Sequence, residues 1–71
     1  MAYLIKFKSK YTKGKWMSQK HLHSRLSSAN RSAAYLRKNN KDLKGKPIGL
    51  KVSIRKVDAR KPPYNKMTML N

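Results

Sequence analysis

The chain has 71 residues, of which 38% are hydrophobic and 30% are charged, and its formal net charge is +17 at pH 7. A chain of this length forms one domain with a small core, and so one-sided a charge indicates a polyanionic partner. The absence of cysteine excludes disulfides and thiolate metal sites, and no apolar run is long enough for a membrane span or a secretory signal.

The first predicted element is a strand, because apolar and basic side chains alternate from Ala2 to Tyr11. The side chains expected on its buried face are Tyr3, Ile5, Phe7 and Tyr11. Those expected in a basic row on its outer face are Lys6, Lys8 and Lys10. A turn follows at residues 12–15, where Gly14 provides conformational freedom and the flanking Lys13 and Lys15 keep the turn solvated.

A helix is predicted from Ser18 to Asn40, because apolar side chains recur there in a stripe about 80° wide. The stripe consists of Leu22, Leu26, Ala29, Ala33 and Leu36. Ser18 is the expected N-cap, with Met17 and Leu22 as the flanking hydrophobic staple. Trp16 would stand just before this helix, where general burial tendencies favour a lid over the core rather than a platform for stacking.

The opposite side of this helix is basic, and its residues are Lys20, Arg31 and Lys38, flanked by Ser24, Ser27 and Tyr35. No acidic residue lies between Met1 and Lys41, so no ion pair can form along the helix. Plain exposure to solvent is the alternative, but a merely solvated helix face usually mixes charges of both signs. The pattern therefore favours a binding surface.

A second strand is predicted at Ile48–Val57, after a basic loop that ends at Pro47. One face would hold Ile48, Leu50, Val52 and Ile54, and the other Lys51, Ser53 and Arg55. Val57 breaks this alternation, which predicts a bulge or the end of the strand near Lys56. The prolines at positions 62 and 63 favour an extended segment, with a short strand at Met67–Met69 as an option.

Together these elements predict an α+β fold, a small two-layer single domain of strand, helix and strand with an optional short C-terminal edge strand. The basic core domain would span residues 1–58, and residues 59–71 would form a Pro-containing basic tail that is extended or adds an edge strand. The loops allow either a parallel crossover or an antiparallel pair. Open strand edges leave a homodimer as an option.

The sequence offers little material for catalysis or metal binding. Asp42 and Asp58 are the only acidic residues, and nothing brings them together as a catalytic pair. His21 and His23 would project from different sides of the helix and could not share a metal ion. A later helix start would give them strand-like spacing, still with no cysteine or acidic ligand close by. We therefore expect neither an enzyme nor a cofactor or metal site.

The predicted function is nucleic-acid binding in an accessory or regulatory role. Lysines outnumber arginines by 14 to 5, and lysine contacts phosphate as a point charge, which predicts weak sequence specificity. The candidate contact residues are Lys6, Lys8, Lys10, Lys13, Lys15, Lys20, Arg31, Lys38, Lys41, Lys44, Lys46, Lys51, Arg55, Arg60 and Lys61. The basic side of the helix ranks ahead of the outer side of the strands, because a helix fits a major groove and the strands would expose no aromatic ring. This ranking favours DNA somewhat over RNA.

The alternative is a regulator or inhibitor that docks on an acidic surface of a host protein such as RNA polymerase or a nuclease. Its anchors would be the aromatic residues Trp16, Tyr35 and Tyr64. No family motif is recognised, but the small size and the lysine and asparagine bias resemble the composition of small phage-encoded proteins. We expect a cytoplasmic location, at the nucleoid or in the host cytoplasm if the protein is viral, and no membrane partner.

Overall fold

A computed structural model describes residues 1–70 and confirms the predicted small single α+β domain. The elements are β1 (Ala2–Lys8), β2 (Met17–Ser18), β3 (His21–His23), α1 (Leu26–Lys38), β4 (Lys51–Val57) and β5 (Thr68–Leu70). Short 3-10 helices occur at Lys10–Thr12 and Tyr64–Lys66. No helix within the described residues is both long and apolar enough to cross a membrane.

The five strands form one mixed sheet with β1 near its centre. β1 pairs antiparallel with β4 along its whole length, from Ala2 opposite Val57 to Lys8 opposite Lys51. On its other edge β1 pairs antiparallel with β2 and β3, and β5 joins β3 in parallel. The two long strands are therefore antiparallel, and the short C-terminal strand is present. A homodimer through a strand edge stays a prediction.

The segment that runs along the second edge of β1 contains two extra residues. Between the Lys6–Ser18 pair and the Tyr3–His23 pair, β1 advances three positions and its partner advances five. The surplus lies at residues 19–20, which form a bulge between β2 and β3. Because the surplus is even, the alternation of side chains between the two faces continues unchanged from β2 into β3.

α1 begins at Leu26, so the predicted helix start at Ser18 is wrong. Much of residues 17–23 pairs with β1 instead, and this tertiary pairing overrides the helical spacing of their apolar side chains. The N-cap residue is Arg25, which is extended and makes no side-chain capping hydrogen bond. One consequence bears on the binding surface: Lys20 lies in the bulge and not on the helix.

α1 packs over β1 and β4 on one face of the sheet, here called the helix face. Ala29 and Ala33 of the helix and Ile5 of β1 are fully buried. As expected, the two small alanines allow the helix to approach the sheet closely. Leu26 belongs to the same predicted stripe, but as the first residue of the helix it is 48% exposed.

The opposite face, here called the outer face, has an apolar core at one end only. Its buried members are Ala2 and Leu4 of β1, Leu22 of β3 and Val57 of β4, and the half-buried residues over them are Ala59, Tyr64 and Met67. Val57 is apolar because this C-terminal segment covers it. β4 pairs with β1 without interruption and ends at Val57, so of the two predicted options the strand end near Lys56 is confirmed and the bulge is wrong.

The chain leaves the sheet immediately after β1. Ser9 and Thr12 form a capping box around a 3-10 turn, with the Ser9 hydroxyl accepting from the Tyr11 N–H at 3.2 Å. The turn removes Lys10 from the predicted lysine row and places its Nζ 3.7 Å from the Asp42 carboxylate. It also leaves Tyr11 65% exposed, so the prediction that Tyr11 faces the core is wrong.

Candidate nucleic-acid interface

The uncovered end of the outer face is basic, and we call it the open half. Its cations are Lys6 and Lys8 of β1 and Lys51 and Arg55 of β4. In the sheet register Lys6 lies opposite Ser53 on one side and Ser18 on the other, and Lys8 lies opposite Lys51. Antiparallel pairing puts directly opposed side chains on the same face, so these cations and hydroxyls form one continuous surface.

Trp16 belongs to this surface, whereas the general tendency of tryptophan to be buried predicted a lid over the core. Continuing the β1–β2 register by one residue places it opposite Lys8, whose Nζ lies 4.8 Å from the centre of the indole ring. Trp16 is 45% exposed. It lines an open groove of about 500 Å³, together with Lys6, Ser53, Ile54, Arg55 and Lys56.

The two acidic residues are engaged by backbone N–H groups and by cations outside the open half. The backbone N–H of Lys46 is the main cause that lowers the pKa of Asp42, and the backbone N–H of Arg60 does the same for Asp58. Each carboxylate also forms an ion pair, Asp42 with Lys10 at 3.7 Å and Asp58 with Arg60 at 3.4 Å. Within residues 1–70, no Asp side chain forms an ion pair with a cation of the open half.

The remaining basic candidates lie in ordered turns around the sheet. Lys13 and Lys15 flank Gly14 in the turn before β2, where the positive φ of Gly14, 77°, suits glycine. The loop that contains Lys41, Lys44 and Lys46 is held by Asp42, which accepts the Lys44 and Lys46 N–H groups at 2.9 Å each. Arg60 and Lys61 follow Asp58, which accepts the Arg60 N–H at 3.0 Å.

The helix offers a second surface. Arg31 and Lys38 are exposed on α1, but the predicted third cation, Lys20, lies in the bulge. Tyr35 is 69% exposed. An open groove of about 360 Å³ runs beside α1 and is lined by Gln19, His21, Arg31, Ser32, Tyr35 and Leu36. The basic side of the helix, which ranked first from the sequence, thus loses one of its three predicted cations.

Both histidines project from β3 onto the helix face, so their separation on different sides of a helix is wrong and the alternative of strand-like spacing is confirmed. The His21 and His23 rings meet edge to face at 5.2 Å, and His23 Nδ1 lies 2.9 Å from the Ser28 hydroxyl. Burial, with a smaller contribution from His21, lowers the pKa of His23. Within residues 1–70, no group of three or more His, Cys, Asp or Glu side chains is placed to hold a metal ion.

Sequence reasoning found the cations of the open half but missed three of its other members. Ser53 was assigned to the correct face without a role, Ser18 was assigned to a helix cap, and Trp16 was assigned to the core. The missed signal was the strand after Trp16, because its pairing with β1 decides which face the indole joins. Tyr64, a candidate anchor, is half-buried and packs against the outer-face core.

The open half combines cations for phosphate oxygens, hydroxyls for hydrogen bonding and one aromatic ring for stacking. These are the groups that proteins use to hold nucleic-acid strands. Comparisons with protein-family models, curated proteins and solved structures give no match for this chain, so no relative indicates a role for these residues.

Proposed function

We propose that this protein binds nucleic acid on the open half of its sheet, mainly through phosphate contacts and with weak sequence specificity. It would act as an accessory or regulatory protein without catalytic activity. The observation that carries the proposal is the set of four cations on one face that form no ion pair with an Asp side chain of the described residues, namely Lys6, Lys8, Lys51 and Arg55. A phosphate backbone supplies the missing counter-charge.

The pairing of Lys8 with Lys51 supports a polyanionic ligand. The two residues are directly opposed across β1 and β4, and like charges in that position destabilise a sheet. No carboxylate side chain within the described residues relieves this repulsion through an ion pair. A bound phosphate chain would relieve it, so the cost to the free protein is recovered when the ligand binds.

The open half replaces the helix as the preferred surface for a physical reason. The case for the helix needed Lys20, Arg31 and Lys38 on one side of a single helix, and Lys20 is not on α1. The case against the strands needed an outer face without an exposed ring, and Trp16 is half exposed beside that face. Both premises change in favour of the sheet.

The test compares two variants that each lose three lysines and one arginine. The first changes Lys6, Lys8, Lys51 and Arg55 to Gln, and the second changes Lys38, Lys41, Lys44 and Arg31 to Gln. Affinity for a labelled oligonucleotide is measured by anisotropy across a salt series. We expect the first variant to reduce the slope of log K against log salt by up to about 3, since each lost contact removes roughly 0.7–0.9.

The matched variant should keep most of the slope, because it loses the same charge from other parts of the molecule. Equal losses in both variants would mean that total charge matters and the open half does not. A larger loss in the second variant would return the site to the helix side.

Docking on an acidic protein is the second candidate function, and the groove beside α1 favours it. Tyr35 is 69% exposed there and shares the groove with Arg31, which gives an aromatic anchor next to a cation. The same salt series separates the two candidates. Failure of the unmodified protein to bind any oligonucleotide at physiological salt would favour the protein partner.

A further inference from the structure

We infer that the ligand of the open half is single-stranded nucleic acid and that Trp16 stacks on one of its unpaired bases. This inference rests on the proposed function and assigns it a ligand class and a contact residue. It reverses the preference for duplex DNA that the basic side of the helix suggested, because the proposed function lies on the open half of the sheet and not on the helix.

The position of the indole is the first reason. Trp16 is 45% exposed beside the open half, although tryptophan carries the largest apolar surface that a short chain can bury. The apolar core of the outer face lies at the opposite end of the sheet face, under the C-terminal segment. Trp16 is not among the residues of that core, so its exposed ring is available to a ligand.

The neighbours of the indole are the second reason. Lys8 Nζ lies 4.8 Å from the ring centre, and Lys6, Ser53 and Arg55 line the same groove of about 500 Å³. A nucleotide presents a flat base joined to a charged phosphate, and the groove presents a flat ring beside cations. The match is to both parts of a nucleotide together, whereas phosphate binding alone would need no ring.

The state of the base is the third reason for choosing a single strand. Inside a duplex each base is already stacked above and below, and only its edges face the grooves. A side-chain ring can therefore stack on a base only where that base is unpaired, or after costly unstacking. DNA and RNA single strands share this chemistry, so the test compares both.

Trp16 is the only tryptophan in the chain, which makes its fluorescence a direct report on the site. The probes are an oligothymidine, an oligouridine of equal length, an abasic deoxyribose-phosphate strand of the same length and a duplex of matched charge. We expect both base-bearing single strands to quench the fluorescence and to bind more tightly than the abasic strand. The duplex should bind through its phosphates with little quenching.

The variant Trp16→Ala should weaken binding of the base-bearing strands by about 5- to 150-fold, the range measured for loss of one stacked base. Its affinity for the abasic strand should not change, and a urea unfolding transition like that of the unmodified protein shows that the variant is folded. Trp16→Phe should keep most of the affinity because it keeps an aromatic ring. Tyr35→Ala is the control and should leave the affinity for the base-bearing strands unchanged, since Tyr35 is exposed beside α1 and not in the open half.

The outcomes separate the two proposals. Equal binding of base-bearing and abasic strands with a steep salt slope, unaffected by Trp16→Ala, would overturn the stacking inference and leave phosphate binding intact. Absence of binding to every probe would overturn the proposed function itself. Tighter binding of oligouridine than of oligothymidine would identify RNA as the natural source of the strand, and the reverse would identify DNA.

Discussion

The two faces of the sheet use the same strands and are covered differently. On the helix face, α1 lies across β1 and β4 with Ala29 and Ala33 fully buried. On the outer face, the C-terminal segment covers only the end that contains Ala2 and Leu4. The change falls within a single strand, since β1 turns from buried apolar residues to Lys6 and Lys8 along that face.

The difference shows how a short basic chain distributes its few apolar residues over the two faces of its sheet. Its apolar residues suffice to close one face and part of the other, since a domain of this size buries a limited share of its surface. The uncovered part carries cations in place of a core. The residues that stabilise the fold and those of the proposed binding surface therefore lie at opposite ends of one strand, and each end can be altered separately.

A cavity in the covered end of the outer face should have the largest effect on stability. Leu22→Ala should lower the free energy of unfolding by about 2–5 kcal/mol, because the fully buried Leu22 joins the outer-face core. Leu26→Ala is the matched control, since Leu26 is 48% exposed and the same atoms are removed. Urea unfolding at fixed salt measures both. Similar losses would contradict the assignment of Leu22 to this core.

The helix face should respond to pH through His23. Its pKa lies below the usual 6.5 because the ring is buried, so below pH 6.5 the unfolded chain binds a proton that the folded protein does not. The contribution is fully present above that pH, and stability falls as pH drops from 6.5 towards the lowered pKa of the folded state. The protonated ring would also bring an Nε2 donor into a buried position that offers it no acceptor within residues 1–70.

Urea unfolding at pH values between 6.5 and about 5 measures this dependence, since Asp42 and Asp58, whose pKa values are lowered from 3.8, add their own loss below about pH 5. The variant His23→Gln should lose most of the dependence. Retention of the full dependence by the variant would show that another group is responsible.

The open half should respond to charge with opposite effects on folding and binding. Lys51→Glu places a carboxylate directly opposite Lys8 and should stabilise the fold by about 0.2–1 kcal/mol, because an opposed pair of unlike charges replaces one of like charges. The same variant should bind oligonucleotide more weakly. Lys51→Gln is the control and should give a smaller change in both. A loss of stability on Lys51→Glu would contradict the pairing of these residues.

Local alternation was sufficient to predict β1, the outer-facing cations of β4 and the two-layer α+β fold. It failed at residues 17–23, because Leu22 satisfies a helical stripe and a strand equally well, and pairing with β1 decides between them. It left a bulge and a strand end near Lys56 both open, and the strand ends at Val57, whose apolar character follows from a C-terminal segment packed over it. The helix start and the packing of Val57 both depend on contacts between distant parts of the chain, which no local pattern contains.

The position of Trp16 was missed for the same reason. The general tendency of tryptophan to be buried is an average over proteins. The place of Trp16 in this molecule follows from the next strand, whose first residue, Met17, lies opposite Phe7. Once that register is known, the next pair places the indole beside Lys8. The cations of the candidate surface could therefore be predicted from the sequence, but the position of its aromatic ring could not.

The bulge between β2 and β3 also fixes which insertions and deletions the chain can accept. Its two residues act as one full period of a strand, so removing both together would leave Leu22 and His23 on their present sides. Removing one alone would exchange the sides and bring the imidazole into the apolar core. An insertion or deletion at this point therefore preserves the two faces only if it changes the length by an even number of residues.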